Sequence, residues 1–126
     1  MKATLHVLTL IAALAFGATT ALAGPKLFTP PVAVGGQDYC LECLVANVSD
    51  EIVKVKIRGF ADDGTVLSSR LVRLEPRTTT STLPVCDEVG NYSCDFEVTL
   101  GDRDQIRAGA CEFVLSFGCA AAVTAR

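Results

Sequence analysis

The chain has 126 residues, of which 50% are hydrophobic and 20% are charged, and this length suits one domain. Its 11 basic and 14 acidic residues give a formal net charge of −3. We predict no nucleic-acid partner, because neutralising phosphate groups requires a cationic surface.

Residues 1–23 have the pattern of a secretory signal peptide that is removed. Lys2 supplies the positive start, residues 3–16 are largely apolar, and Ala21 and Ala23 place small residues at the cleavage positions. The apolar run is shorter than the ~20 residues that span a bilayer. We therefore predict a secreted or periplasmic protein with no transmembrane anchor after cleavage.

Cleavage after Ala23 removes the only histidine, His6, and the only methionine, Met1. A chain without histidine lacks imidazole-assisted nucleophiles, histidine-based zinc sites and the usual pH switch. The remaining charge is more negative, because Lys2 is lost as well. We predict no catalytic residue, no cofactor and no metal site.

The mature chain reads as an extended arm followed by a β-domain. Residues 24–37 contain three prolines and three glycines, which favours an arm or edge segment over a helix.

Residues 38–126 alternate short β-type segments with turn signals such as Asp63-Gly64. We predict about seven strands, all of them short. They cover residues 39–48, 51–60, 66–74, 78–85, 95–100, 105–115 and 119–124. We place Cys86 to Cys94 in a polar loop. The pattern predicts a single all-β sandwich.

Six cysteines in a small exported domain indicate disulfides. Cys40 and Cys43 are three residues apart, so on a strand they face opposite sides and do not pair with each other. Cys111 and Cys119 suit a bridge across a hairpin. Cys40 and Cys43 then take Cys86 and Cys94 in either order, and the preferred order pairs Cys43 with Cys94 and Cys40 with Cys86.

From Cys43 onward the chain resembles uncharacterised exported bacterial domains of immunoglobulin-like or fibronectin-III-like shape. The resemblance rests on the segment 43–47, on the Asp63-Gly64 hairpin, on Leu74-Glu75-Pro76, and on the later segments 94, 106–108 and 125–126. It implies an immunoglobulin-like β-sandwich whose two sheets are clamped by an early and a late cysteine, which here are Cys43 and Cys94. It implies no activity, because fold likeness does not supply one.

One candidate binding patch stands out. Lys54, Lys56 and Arg58 share one face of a strand by parity, and Arg70 and Arg73 lie on the return strand. A one-residue change of register decides whether Arg70 or Arg73 joins them. A cationic stripe of this kind could bind an acidic surface such as an anionic glycan or lipid headgroups. It could also be simply a solvated sheet face that discourages edge aggregation.

We favour a non-catalytic module for binding, adhesion or assembly, with an unknown protein or glycan partner at the envelope or outside the cell. Cys40-Leu41-Glu42-Cys43 has the spacing of thiol-disulfide oxidoreductases, which makes such an enzyme one alternative. An inhibitor or effector of a secreted hydrolase is another, because the domain is small and rich in cysteine. The oligomeric state has no sequence signal.

Overall fold

The computed structural model describes residues 24–36, 39–82, 86, 89–114 and 118–126. The predicted signal peptide therefore lies outside the described residues. Nine strands make up the described chain: β1 (Lys26–Phe28), β2 (Val32–Val34), β3 (Tyr39–Asn47), β4 (Val53–Ala61), β5 (Val66–Leu74), β6 (Thr79–Ser81), β7 (Gly90–Leu100), β8 (Ile106–Val114) and β9 (Gly118–Thr124). A single 3-10 turn, Arg103–Gln105, precedes β8. No helix in this part of the chain has the length and apolar character needed to cross a membrane.

The strands form two antiparallel sheets. The first has the order β1-β7-β4-β5, with β2 also paired to β7, and the second has the order β6-β3-β8-β9. The fold is therefore all-β, as predicted. The described residues hold nine strands instead of about seven, because residues 24–37 contribute β1 and β2 to the first sheet. The prolines favour an arm or an edge segment, and the two short strands beside them pair with β7 at the side of the first sheet.

The core lies between the two sheets and follows from the alternation of each strand. On β4, Val53, Val55 and Ile57 are fully buried, as the pattern of that strand predicts. Phe96 of β7 and Ile106 of β8 are buried in the same cluster. Each sheet thus presents one apolar face inward, which is the arrangement that stabilises a two-layer β-sandwich.

The loop predicted from Cys86 to Cys94 is wrong in its second half. β7 begins at Gly90, so Tyr92 and Cys94 lie on a strand and are buried. The polar residues Asn91 and Ser93 sit at alternate positions of that strand, where period-two spacing leaves them outside the core. Gly90 and Asn91 suggested a turn, but pairing with Val34 and Ala33 of β2 extends the strand through them.

All three disulfides are present in the described residues. Cys43 is bonded to Cys94, Cys40 to Cys86 and Cys111 to Cys119, and these are the pairs of the preferred assignment. The Cys43–Cys94 bridge joins β3 of one sheet to β7 of the other, with 5.9 Å between the two Cα atoms. It therefore links the two layers covalently through the core.

Two threonines support that bridge in the same way. Thr29 follows β1, donates its backbone N–H to the Cys94 carbonyl at 3.0 Å and accepts the Cys94 N–H on its Oγ1 at 2.9 Å. Thr82 follows β6 and makes the matching pair of bonds with Cys43, at 2.9 and 3.2 Å. Both threonines are buried. The backbone N–H of each cysteine thus donates to a threonine hydroxyl just past the end of a short neighbouring strand, where a longer strand would offer a backbone carbonyl.

We expect Thr29→Val to lower the free energy of unfolding by about 1–3 kcal/mol, because it leaves the buried Cys94 N–H without an acceptor. Thr29→Ser keeps the hydroxyl and is the matched control, with an expected loss of less than half that amount. The measurement is the midpoint of urea unfolding of the oxidised protein. Equal losses for the valine and serine variants would contradict a role for the hydroxyl.

A buried asparagine ties two loops together. The Nδ2 group of Asn47 donates to the carbonyl oxygens of Glu51, Leu74 and Glu75 at 2.6, 3.2 and 3.1 Å. Its Oδ1 accepts the backbone N–H and the hydroxyl of Ser49 at 2.9 and 2.8 Å. The side chain therefore holds the β3–β4 connection against the end of β5.

Candidate binding surface

The outward side of the first sheet gathers most of the predicted cations. Residues directly opposite each other on neighbouring strands project from the same face. Lys56 pairs with Glu97 of β7 and Leu71 of β5, and Lys54 pairs with Arg73. Arg73 therefore joins Lys54, Lys56 and Arg58. We call this surface the cationic face. Its basic residues are Lys54, Lys56, Arg58 and Arg73, together with Lys26 of β1.

Arg70 does not belong to the cationic face, and its inclusion in the predicted patch is wrong. It pairs with Ile57, whose side chain is buried in the core, so the two project toward the second sheet. At this edge position the Arg70 side chain stays exposed and donates from Nη1 to the Ser81 carbonyl at 3.0 Å. It bridges the rims of the two sheets.

The sequence reasoning missed Lys26 because it treated residues 24–37 as an arm or edge segment and assigned no strand register there. Lys26 on β1 pairs with Glu97, and Glu97 in turn pairs with Lys56. The three side chains therefore form one row across three strands. The only available signal was the charged Lys26 followed by apolar Leu27 and Phe28, and three residues are too few to establish a strand without its partner.

Large apolar side chains interrupt the charges of the cationic face. Leu71 is 63% exposed and Phe28 is 56% exposed. Phe28 pairs with Asp95 and Leu71 with Lys56, which places both on the outward side. Leu100, paired with Lys54, is also exposed. Their proximity to lysines gives the face a mixed cationic and apolar character.

An ion pair occupies the centre of the face. The Arg58 guanidinium binds the Asp95 carboxylate through both oxygens, with Nε to Oδ1 at 2.8 Å and Nη2 to Oδ2 as the second bond. The side chain of Asp95 is 3% exposed and that of Arg58 is 21% exposed. The Phe60 ring lies 5.6 Å from the guanidinium carbon. The hydrogen bond to Asp95 raises the pKa of Arg58, so this arginine stays charged.

The other ion pairs of the cationic face involve its arginines and not its lysines. Arg58 also approaches Glu97 at 3.9 Å, and Arg73 pairs with Glu75 at 3.3 Å. Among the described residues, no ion pair engages Lys26, Lys54 or Lys56. Glu97 is the carboxylate that lies between Lys26 and Lys56 in their row. The face therefore has a fixed central ion pair, with lysines around it that no ion pair among the described residues neutralises.

The cysteines form no exposed thiol site in the described residues. Cys40 and Cys43 lie on β3, are buried, and are bonded to different partners. A redox pair of the C-x-x-C type requires an accessible thiol of low pKa, which is commonly found at a helix N-terminus. The described residues also contain no group of three or more histidine, cysteine, aspartate or glutamate side chains placed to hold a metal ion.

No protein-family model matches the chain, and no curated protein matches it. Its fold is similar to that of the crystal structure of Thermotoga maritima 1070, with a TM-score of 0.56 over 83% of this chain and 95% of the other. The two sequences are 14% identical. This similarity concerns the fold alone.

Proposed function

We propose that the protein is a secreted or periplasmic, non-catalytic binding module that docks through its cationic face on an acidic protein surface. The observation that carries the proposal is the combination of exposed Phe28 and Leu71 with lysines that take part in no ion pair among the described residues, all on one side of a sheet. The finer immunoglobulin-like assignment and the export by a signal peptide are part of this proposal. Three disulfides are compatible with an oxidising compartment.

The apolar side chains favour a protein over a glycan as the partner. Charges alone suffice to attract an anionic polysaccharide, but Leu71 and Phe28 gain free energy only when apolar groups cover them. Protein interfaces commonly place apolar and aromatic side chains at the centre with charges around them. Complementary charges chiefly raise the association rate and select the partner.

The central ion pair suits a docking surface as well. Because Arg58 is held by Asp95 and flanked by Phe60, its orientation is set before a partner arrives. A fixed side chain loses less conformational entropy on binding than a mobile one. The buried cystines at Cys40 and Cys43 offer no exposed thiol, so the alternative of a thiol-disulfide oxidoreductase has less support than binding.

The test uses defined acidic polymers. Fluorescence anisotropy would compare the purified full chain with a labelled glutamate–tyrosine copolymer, polyglutamate, dextran sulfate and phosphatidylglycerol vesicles. We expect the tightest binding to the copolymer, weaker binding to polyglutamate, and affinities that fall with salt. Preference for dextran sulfate or for vesicles would replace the protein partner with a glycan or a membrane and overturn the proposal.

Two variants assign the binding to the face. We expect Lys54→Glu with Lys56→Glu to weaken copolymer binding about tenfold, and Phe28→Ser with Leu71→Ser to reduce the preference for the copolymer over polyglutamate. The matched control reverses two exposed arginines elsewhere, Arg70→Glu with Arg77→Glu, and we expect its binding to be close to that of the wild type. Equal weakening by the control and the lysine variant would show a general charge effect instead of docking on this face.

A further inference from the structure

A second charged site lies at the edge where the two sheets meet. Phe28 of β1 and Arg126, which follows β9, exchange backbone hydrogen bonds of 3.0 Å in both directions. Beside this junction is a cleft of about 350 Å³, bounded by β1, the 3-10 turn, the start of β8 and the chain after β9. Its volume falls in the range of small-molecule sites.

Three arginines surround the cleft. Arg103, Arg107 and Arg126 all line it, and Asp104 is the one acidic residue among the lining residues. In the described residues no ion pair engages any of the three arginines. The side chains around the cleft thus carry an excess of positive charge in a chain whose overall charge is negative.

The lining of the cleft also includes apolar residues, namely Leu27, Ile106, Ala108 and Ala125. Ile106 is covered almost completely, whereas Leu27, Ala108 and Ala125 each keep a small exposed edge of 6–9%. A ligand in the cleft can therefore contact a small area of aliphatic carbon next to the arginines. This combination distinguishes the cleft from a flat patch of surface arginines.

Local hydrogen bonds fix the rim. Arg107 donates from Nη1 to the carbonyl oxygens of Asp104 and Ile106, at 3.1 and 2.8 Å. The 3-10 turn is closed by the Asp102 N–H, which donates to the Gln105 Oε1 at 2.7 Å, and by the Gln105 N–H, which donates to the Asp102 carbonyl at 3.1 Å. Arg107 keeps its other guanidinium donors for a ligand. A planar, oriented guanidinium favours two-point binding of an oxyanion.

We propose that this cleft binds a small organic anion, with a carboxylate or phosphate held by Arg103 and Arg107 and a short apolar group against the exposed edges of Leu27 and Ala125. The site is separate from the cationic face, whose lysines lie on the outward side of the first sheet. The protein would then bind a small ligand in this cleft in addition to the acidic protein surface proposed above.

The test titrates the isotopically labelled full chain with butyrate and with butyl phosphate while amide resonances are recorded by NMR. We expect saturable shifts at residues around the cleft, such as Ala108 and Thr124, from at least one of the two anions. The tighter of the two identifies the head group as carboxylate or phosphate. Butanol and chloride are the controls, and shifts as large with either of these as with the anions would overturn the proposal.

Two variants separate binding from folding. Loss of a charge-assisted hydrogen bond at the rim should weaken the tighter anion about tenfold or more in Arg107→Ala. Arg107→Lys keeps the charge without the planar fork, and we expect an intermediate affinity. Arg77→Ala, which removes an exposed arginine outside the cleft, is the matched control and should retain wild-type affinity. Binding that is unchanged in Arg107→Ala would overturn the proposal, and so would the absence of saturable binding.

Discussion

We expect Arg58→Ala to lower the free energy of unfolding by about 3–5 kcal/mol, because it leaves the buried Asp95 carboxylate without its partner. Asp95 is almost completely shielded from solvent, and Arg58 binds both of its oxygens. A loss of this size is a large part of the about 5–15 kcal/mol that stabilises a typical domain. Chemical unfolding followed by circular dichroism measures it.

The control for Arg58 is the exposed pair of Arg77 and Asp50, in which Arg77 Nε lies 3.0 Å from Asp50 Oδ1. Solvent screens an exposed pair and weakens its contribution, so Arg77→Ala should change stability little. A further variant, Arg58→Met with Asp95→Leu, removes both charges and should recover much of the stability lost in Arg58→Ala. Similar losses for Arg58→Ala and Arg77→Ala would contradict the assignment of a buried, mutually dependent pair.

Asn47→Asp should be comparably destabilising, by about 3–5 kcal/mol at neutral pH. The substitution is nearly isosteric but replaces a donating amide with a carboxylate facing the carbonyl oxygens of Glu51, Leu74 and Glu75. Repulsion and burial both favour the protonated acid in the folded state. Its pKa is then raised relative to the unfolded chain, so the defect should shrink as the pH falls through the acid range.

The measurement for Asn47 is thermal or urea unfolding of the wild type and the variant across that pH range. Asn91→Asp makes the same chemical change at an exposed position of β7 and should cost less than about 0.5 kcal/mol. A defect in Asn47→Asp that stays constant with pH would contradict the role of the amide as a donor to the three carbonyls.

The inward and outward faces of β4 were predictable because the alternation of apolar and charged residues along the strand is enough to assign them. Val53, Val55 and Ile57 are spaced two apart, and burying one of them on a strand buries all three. The boundaries of β7 were not predictable in the same way. Residues such as Gly90 and Asn91 have low strand propensity, but pairing with β2 imposes the extended conformation on them.

The candidate surface depended on register, which the sequence leaves open. The position of Arg73 opposite Lys54, and of Arg70 opposite Ile57, follows from the pairing of β4 with β5. A β-bulge between Gly59 and Phe60 shifts this pairing near the hairpin, so counting back from the turn would misplace the arginines. The burial of Asp95 likewise comes from tertiary contacts that no local pattern contains.

The burial of the Cys43–Cys94 bond has a consequence for how the protein responds to reducing agents. A thiolate must reach one of the two sulfur atoms to cleave the bond, and both cysteines are almost completely shielded in the core. Attack therefore has to wait until the layers separate. The rate at which a mild reductant releases these two thiols then measures the rate of spontaneous opening of the native molecule. This measurement needs no denaturant.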